Sequence, residues 1–467
     1  MQQILEVSTR EGRRPRRPGF YFAFLFFLLT HSTFALGPHE ILLLANRNSP
    51  RSLELARDYA ALRKVPEANL VTLDLPYPAS PELSPTDFNR LILESAQKAA
   101  RAQGVDDHIL AWVYSVDFPF RIISTPPTSL QGITFVRGKL PLPDIIGNGS
   151  YASPLFAGPD TPTHPGFPSQ SLDVQRAWLG KDTPLPSMML GFMGPTGNTR
   201  EEILTCLRNG VRADQSRPDG AVLIVTNNDV RSLCRAWEFL PAARELSARA
   251  ISIVITNDYP QKDIALIGLM AGAATIPGLD ANRFAFRPGA IADNLTSFGA
   301  AFDAGGQTKI TEWVRAGASA AAGTVTEPLS IWSKFPTARV FVHPTAGCTL
   351  LESYFQSIRC PLQSLILGDP LSAPWGSAST VTLGGLPAGI LTERRTVTAE
   401  LRTRNGDFFN RFLFLLDGKT LQPTGKSPEV TLDPAVLPQG RHKLRVVAYT
   451  VGSVRSQIFC DAEFEVK

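Results

Sequence analysis

The stretch FRPGAIADNLTSFGAAFD, Phe286 to Asp303, decides how the chain is read. Between Gly289 and Gly299 it gathers Asp293, Asn294, Thr296 and Ser297. Two readings fit. As a helix, Ile291, Leu295, Phe298 and Phe302 recur at i, i+4, i+7 and i+11 on one face. Pro288 then suits the first turn, and the polar residues form a wet back. As a strand running into a loop, Thr296 or Ser297 lies at the carboxyl end, where open α/β sheets bind ligands. The helix makes this stretch a packed wall; the strand makes it a site.

Working outward, the rhythm on both sides is α/β. The apolar run 41–45, the helical RSLELARDYAALRK, the strand NLVTLDL, the helix beginning at SPTDF and the strand HILAWVYS (108–115) make a βαβαβ series. That order predicts a mainly parallel sheet with helices on both faces. Residues 117–185 are rich in Pro, Gly and Ser and read as a long excursion over the surface. The alternation then resumes. SMMLGFMG reads as a strand, and a helix follows behind a capping box of Thr199 and Glu202. GAVLIVT, ISIVIT and DIALIGLMAG read as strands, the first two separated by the helical stretch DVRSLCRAWEFLPAARELSARA. Further helices are expected at TKITEWVRAGA and around 349–358, and a last strand in LQSLILGDPL. These predict one α/β domain over 36–376. No internal repeat is evident. From 377 to 467 the runs become short and often alternating, and DGK marks a hairpin. This is a β-sandwich, and LPQGRHKLRVVAY is similar to a strand region of immunoglobulin-like modules in secreted bacterial proteins.

The chain has 467 residues, 43% hydrophobic and 19% charged, enough for packed cores. Its formal charge of +4 comes mostly from Arg10, Arg13, Arg14, Arg16 and Arg17. The charges are otherwise nearly balanced, which excludes a basic nucleic-acid face. The Arg cluster precedes FYFAFLFFLL and a small-residue exit near Ala35, the pattern of a signal peptide over 1–35. The apolar run is short for a membrane span, and none is expected after cleavage. The predicted location is extracytoplasmic: secreted, periplasmic or on the cell surface. Five cysteines, an odd number, do not describe a disulfide scaffold. A helix between Cys348 and Cys360 would hold them too far apart to join, so mostly buried free thiols are expected.

Few residues offer chemistry. Thr296 and Ser297 are hydroxyl candidates for a nucleophile, with Asp293 beside them. His343 ends a strand-like run, VFVH, five residues before Cys348, and a Cys–His pair is the minimum for thiolate catalysis. A lone His before Pro is more often structural. Glu327, before Pro328 and after the small-residue run 318–322, is either a loop carboxylate or a charge at the ligand edge. Asp369 in LGDPL caps a turn or contributes to a site. No Cys/His cluster suggests a metal, and neither a dinucleotide fingerprint nor a phosphate loop appears, so no cofactor or nucleotide is expected. GxSxG is absent.

LLANRNSPRSLELARDYAALRKVPEANL, PGAIADNLTSFGA, TEWVRAGASAAAGTVTEP and PLQSLILGDPLSAPW together resemble a family of secreted bacterial proteins found in genomes with exosortase-type sorting systems. The resemblance implies location and context, not a reaction. More distantly, ITEWVRAGASAAAGTV, then LGDPL and an immunoglobulin-like tail, is similar to gingipain-type cysteine peptidases of the caspase-like fold. The cysteine of those enzymes would fall in GAIADNLTSFGA and their histidine in LIGLMAGAATIPG (266–278); neither is present here. The resemblance thus implies a caspase-like fold whose dyad is gone, leaving a non-catalytic binding or assembly protein. Two other functions stay open. One is a hydrolase with Ser297, Thr296 or Cys348 as nucleophile and His343, Asp293 or Glu327 as base. The other is a polysaccharide-binding protein of the cell envelope, using the excursion 117–185.

Overall fold

Ten of the apolar runs join one sheet. They are β1 (Ile41–Asn46), β2 (Leu70–Leu73), β3 (Ala111–Tyr114), β4 (Ser187–Met189), β5 (Ala221–Val225), β6 (Ser252–Thr256), β7 (Ile264–Gly272), β8 (Phe284–Leu295), β9 (Ala320–Thr324) and β10 (Ser364–Gly368). The computed structural model describes residues 33–467 apart from 165, 181–182, 260–263, 280–282, 388 and 405. The Arg-rich and apolar part of the predicted signal segment, residues 1–32, lies outside the described residues.

The strand order is β6-β5-β7-β8-β9-β10-β4-β3-β1-β2. Neighbours are parallel except β9 and β10, which are antiparallel. The sheet is therefore two parallel halves of opposite direction, joined at that seam. Numbered within itself, each half has the order 2-1-3-4-5 of doubly wound sheets. The first half is β2-β1-β3-β4-β10, and the second is β6-β5-β7-β8-β9. The strand order thus carries a repeat that the sequence did not reveal.

Both faces of the sheet are covered. Leu43 and Ala45 share one core with Leu55, Ala56 and Tyr59 of α1 (Pro50–Arg63). Leu42 and Leu44 share the other with Ala96 and Ala100 of α2 (Glu94–Gln103). Burial on both faces is why these strands read as continuous apolar runs rather than alternations. The excursion 117–185 differs from the surface reading. Its helix α3 (Leu130–Phe135) is wholly buried, and the Gln131 side chain bonds both the N–H and the C=O of Ile366 in β10, at 2.9 and 2.8 Å. A second helix, α4 (Leu172–Leu179), closes the excursion. The capping box of Thr199 and Glu202 starts α5 (Arg200–Ala213), which links the two halves.

The stretch that opened the sequence reading is a strand, not a helix. Pro288 sits at an irregularity of β8, beside Gly289 at φ 84°. A side chain at Gly289 would also meet Pro374 at 2.6 Å. Of the helical-looking set only Ile291 and Leu295 lie in β8, which is buried on both sides; Phe298 and Phe302 fall in the turns beyond it.

The C-terminal region is β-rich. Its strands are β11 (Thr380–Gly384), β12 (Arg395–Arg402), β13 (Phe409–Leu416), β14 (Lys419–Gly425), β15 (Glu429–Leu432), β16 (Gly440–Thr450) and β17 (Gln457–Val466). A three-stranded sheet, β11-β12-β15, and a six-stranded one containing β17, β16, β13 and β14 share a core of Val381, Val397, Phe414 and Val446. At the predicted DGK hairpin Asp417 and Gly418 both have positive φ, as a two-residue turn of this hand requires. Residues 33–34 pair with β17, and the Arg445 guanidinium donates to the Lys64 carbonyl at the end of α1.

Candidate functional site

A doubly wound sheet binds ligands outside the carboxyl ends of its strands, where the strand order reverses. There are two such points here, β1/β3 and β5/β7. The antiparallel seam puts them on opposite edges of the sheet.

Both points are laced by an asparagine. At the end of β1, the Asn46 side chain donates to the carbonyls of Pro76 and Asp117 at 3.2 and 3.3 Å and accepts from the Asn48 N–H at 3.1 Å. The Asn46 N–H donates to Ser52 Oγ at 3.0 Å. After β5, the Asn227 side chain donates to the Gly272 carbonyl at 3.1 Å and accepts from the Asp229 N–H at 2.9 Å. Its N–H donates to Ser232 Oγ at 3.2 Å. Each asparagine so ties the first strand–helix turn to the chain at the end of the third strand. The tripeptide after each turn is also the same: Arg51-Ser52-Leu53 and Arg231-Ser232-Leu233. At β7 the turn presses so close that a side chain on Gly272 would lie 2.4 Å from the backbone of Arg231 and Ser232.

The charges at the two points differ. In the first half, Arg51 forks onto Asp117 with two 2.6 Å bonds, and Ser49 Oγ donates to the same carboxylate at 2.5 Å. Arg51 remains partly exposed. In the second half, Arg235 is fully buried, just before a 3-10 turn that leads into α7 (Phe239–Ala248). It pairs with Asp293 and donates to the carbonyls of Pro336 and Ala271 at 2.9 and 2.8 Å. Burial raises the Asp293 pKa against the pull of Arg235. Burial also pushes Glu238, close by, up to about 8. Asp293 is thus half of a buried ion pair. The cation it needs, Arg235, is missing from the sequence reading, because one continuous helix was expected where the chain breaks and turns Arg235 inward.

The predicted hydroxyls are placed at the carboxyl end of β8, as the strand reading has it, and hydrogen bonds hold them there. Thr296 Oγ1 donates to Gln307 Oε1 at 2.6 Å, and the same oxygen accepts the Phe298 N–H at 2.7 Å. Asn294 closes the end of the sheet by accepting from the Ala273 N–H and donating to its carbonyl, at 3.0 and 2.9 Å. Ser297 is only 9% exposed, its carbonyl accepts from Thr324 Oγ1 at 3.0 Å, and no base among the described residues reaches its hydroxyl.

The other candidates are scattered. Asp369 is fully buried and pairs with Arg63, and Tyr59 donates to it at 3.0 Å. Asp214 pairs with the same arginine. Burial opposes the Arg63 charge, and Asp214 and Asp369 more than offset that, so its pKa is raised. This is a structural network. Glu327 is exposed and accepts from the Leu329 N–H at 2.8 Å, capping its own turn. His343 does not end a strand: VFVH folds into a 3-10 turn and the short helix α9 (Val342–Thr345), ahead of α10 (Leu350–Ser357). Nor does it pair with Cys348. The Cys348 thiol faces Gln356 and the Gln170 carbonyl, and burial, with Glu352, pushes its pKa well up. All five cysteines are free, with Cys348 and Cys360 unjoined as their spacing implied; Cys206, Cys348 and Cys360 are buried, and Cys234 and Cys460 are half-buried.

The partner of His343 is a residue the sequence reading missed. Ser169 Oγ lies 2.8 Å from His343 Nδ1, and Ser169 lines an open cleft of about 680 Å³. Burial holds the His343 pKa well below 6.5, with Arg339 and Arg249 adding to it. So weak a base is a poor activator of a hydroxyl. Among the described residues, no group of His, Cys, Asp and Glu could hold a metal ion, and no helix is long and apolar enough to cross a membrane.

No family model and no curated protein matches the chain. Among solved structures, it is similar to the fibronectin(III)-like modules of Clostridium thermocellum CbhA, at 22% identity over 19% of this chain and 97% of that one, with a TM-score of 0.16.

Proposed function

We propose that the chain is an extracytoplasmic, non-catalytic binding or assembly protein of the bacterial cell envelope, built on a caspase-like, gingipain-type α/β domain with an immunoglobulin-like C-terminal module. One observation carries the reading. At the carboxyl end of β8, where such a peptidase would present its nucleophile, Thr296 is tied to Gln307 and Asn294 is tied to Ala273. The neighbouring crevice is filled by Arg235 and Asp293. A signal segment at 1–35 and the exosortase-linked resemblance support the location, and a cell-envelope protein or polysaccharide is the natural partner.

The test is covalent labelling with a fluorophosphonate and with iodoacetamide, each read by mass spectrometry. The expected result on the native protein is no fluorophosphonate adduct and no iodoacetamide adduct at buried Cys348, whatever the half-buried Cys234 and Cys460 take up. A fluorophosphonate adduct at Ser297 that Ser297→Ala abolishes would overturn the reading. The hydrolase alternative has one observation in its favour, the Ser169–His343 contact, and an adduct at Ser169 lost in His343→Gln would establish it.

A further inference from the structure

The cleft beside Ser169 carries features that packing does not require. Its walls come from four separate places: the excursion at residues 166–169, the end of α7 with Glu245 and Arg249, the stretch around α9 with Arg339 and Ala346, and the tip of the β16–β17 hairpin, Gly452–Val454. These walls are fastened together. The Ser171 N–H donates to the Ser453 carbonyl at 2.9 Å, the Arg455 N–H donates to Ser171 Oγ at 3.1 Å, and Arg455 pairs with Asp173 at 2.9 Å. The cleft is therefore preformed, the usual condition of a ligand site.

Phe167 stands at its mouth with 57% of its surface exposed. Its backbone is pinned: its N–H donates to the Ala157 carbonyl and its own carbonyl accepts from Arg339, both at 2.9 Å. The ring meets the His164 ring at 5.0 Å and keeps the rest of its surface in water, forgoing burial that a small shift could supply. Arg339 is matched by Glu245, but Arg249 donates only to Thr345 Oγ1, at 2.9 Å, and among the described residues no carboxylate is within ion-pair distance of it. Behind Ser169, His343 is fully buried with Nε2 unpartnered.

We infer that this cleft binds an anionic saccharide, with the ring of Phe167 against the apolar face of a sugar, Arg249 on its carboxylate, and Ser169 among its hydroxyls. A guanidinium and a carboxylate make a charge-assisted, bidentate pair, and an aromatic face covers the C–H groups of a pyranose. The cleft walls are a loop, a 3-10 turn, helix ends and a hairpin tip, so they offer no strand edge along which a peptide could extend. The inference deepens the binding reading proposed above. Its test reads affinity rather than labelling, so its failure leaves the account of the missing nucleophile standing.

The probe is trigalacturonate, titrated calorimetrically into the full chain, with cellotriose as the neutral counterpart and hexaglutamate as the acidic peptide. Saturable binding of trigalacturonate is expected, weakened about tenfold by Arg249→Gln and several-fold by Phe167→Ala. Both side chains are exposed, so melting temperatures should stay at the wild-type value and separate lost binding from lost folding. Higher salt should weaken binding to wild type but hardly to Arg249→Gln. The inference is overturned by an absence of saturable binding at millimolar probe, by equal affinity for cellotriose, by hexaglutamate binding in place of the saccharide, or by an affinity that neither substitution moves.

Discussion

The two halves of the large sheet repeat one strand order and one asparagine device, yet they treat charge in opposite ways. At β1/β3 the cation Arg51 reaches Asp117 from a partly exposed position. At β5/β7 the cation Arg235 is swallowed whole, with Asp293 beside it and Glu238 nearby. The comparison teaches that topology fixes where a crevice lies and leaves open what fills it. The first half keeps a polar surface at its crevice, and the second has turned its crevice into core.

The sharpest way to break this contrast is to remove each cation. Arg235→Met should cost about 3–5 kcal/mol in urea unfolding, because it strands a buried carboxylate. Arg51→Met should cost less, about 1–2 kcal/mol, since Arg51 leaves water access to buried Asp117 and Ser49 still donates to that carboxylate. Equal costs would mean the two edges are not different in kind. The next largest effect is on pH. The Glu238 carboxyl is held protonated in the fold up to about 8, above its value in the unfolded chain. Its contribution is therefore complete below the unfolded pKa and is lost as pH rises through about 8. Glu238→Gln should flatten the decline in stability between pH 5 and pH 9, by an amount on the order of a few kcal/mol. An unchanged slope in thermal melts across that range would refute it. The smallest test concerns what the halves share. Asn46→Ala and Asn227→Ala should each cost about 1–3 kcal/mol by leaving buried backbone groups unpaired. A cost confined to one of them would dissolve the equivalence.

Most of the architecture was legible in the sequence because doubly buried parallel strands leave uninterrupted apolar runs, as in 41–45 and 220–226. Two signals misled. Ile291 and Leu295 of β8 fall by chance at a helical spacing with Phe298 and Phe302 beyond its end, and the pairing of β8 with β7 and β9 resolves it. The run VFVH is apolar because a 3-10 turn and short helix pack there, not because a strand does. The site was less legible still. Arg235 is tied to Asp293 across the fold, and Ser169 to His343, by contacts between residues far apart in sequence. No local spacing encodes such contacts. The repeat was hidden for a related reason: it lives in strand order and hydrogen bonds, with little more than Arg-Ser-Leu shared as letters.

The position of β10 has a consequence for how the chain must assemble. The first half lacks its fifth strand until residues 364–368 emerge, although its fourth strand ends at Met189. All five strands of the second half lie between, so one set of strands is nested as an insertion inside the other. During synthesis the edge of β4 waits unpaired while the inserted half folds, and closing that seam is a contact of very high sequence separation. A chain stopped just before Ser364 should therefore present two finished halves less one strand, with an open, apolar sheet edge where the seam belongs, and should be captured by chaperones or aggregate rather than persist as a smaller native protein.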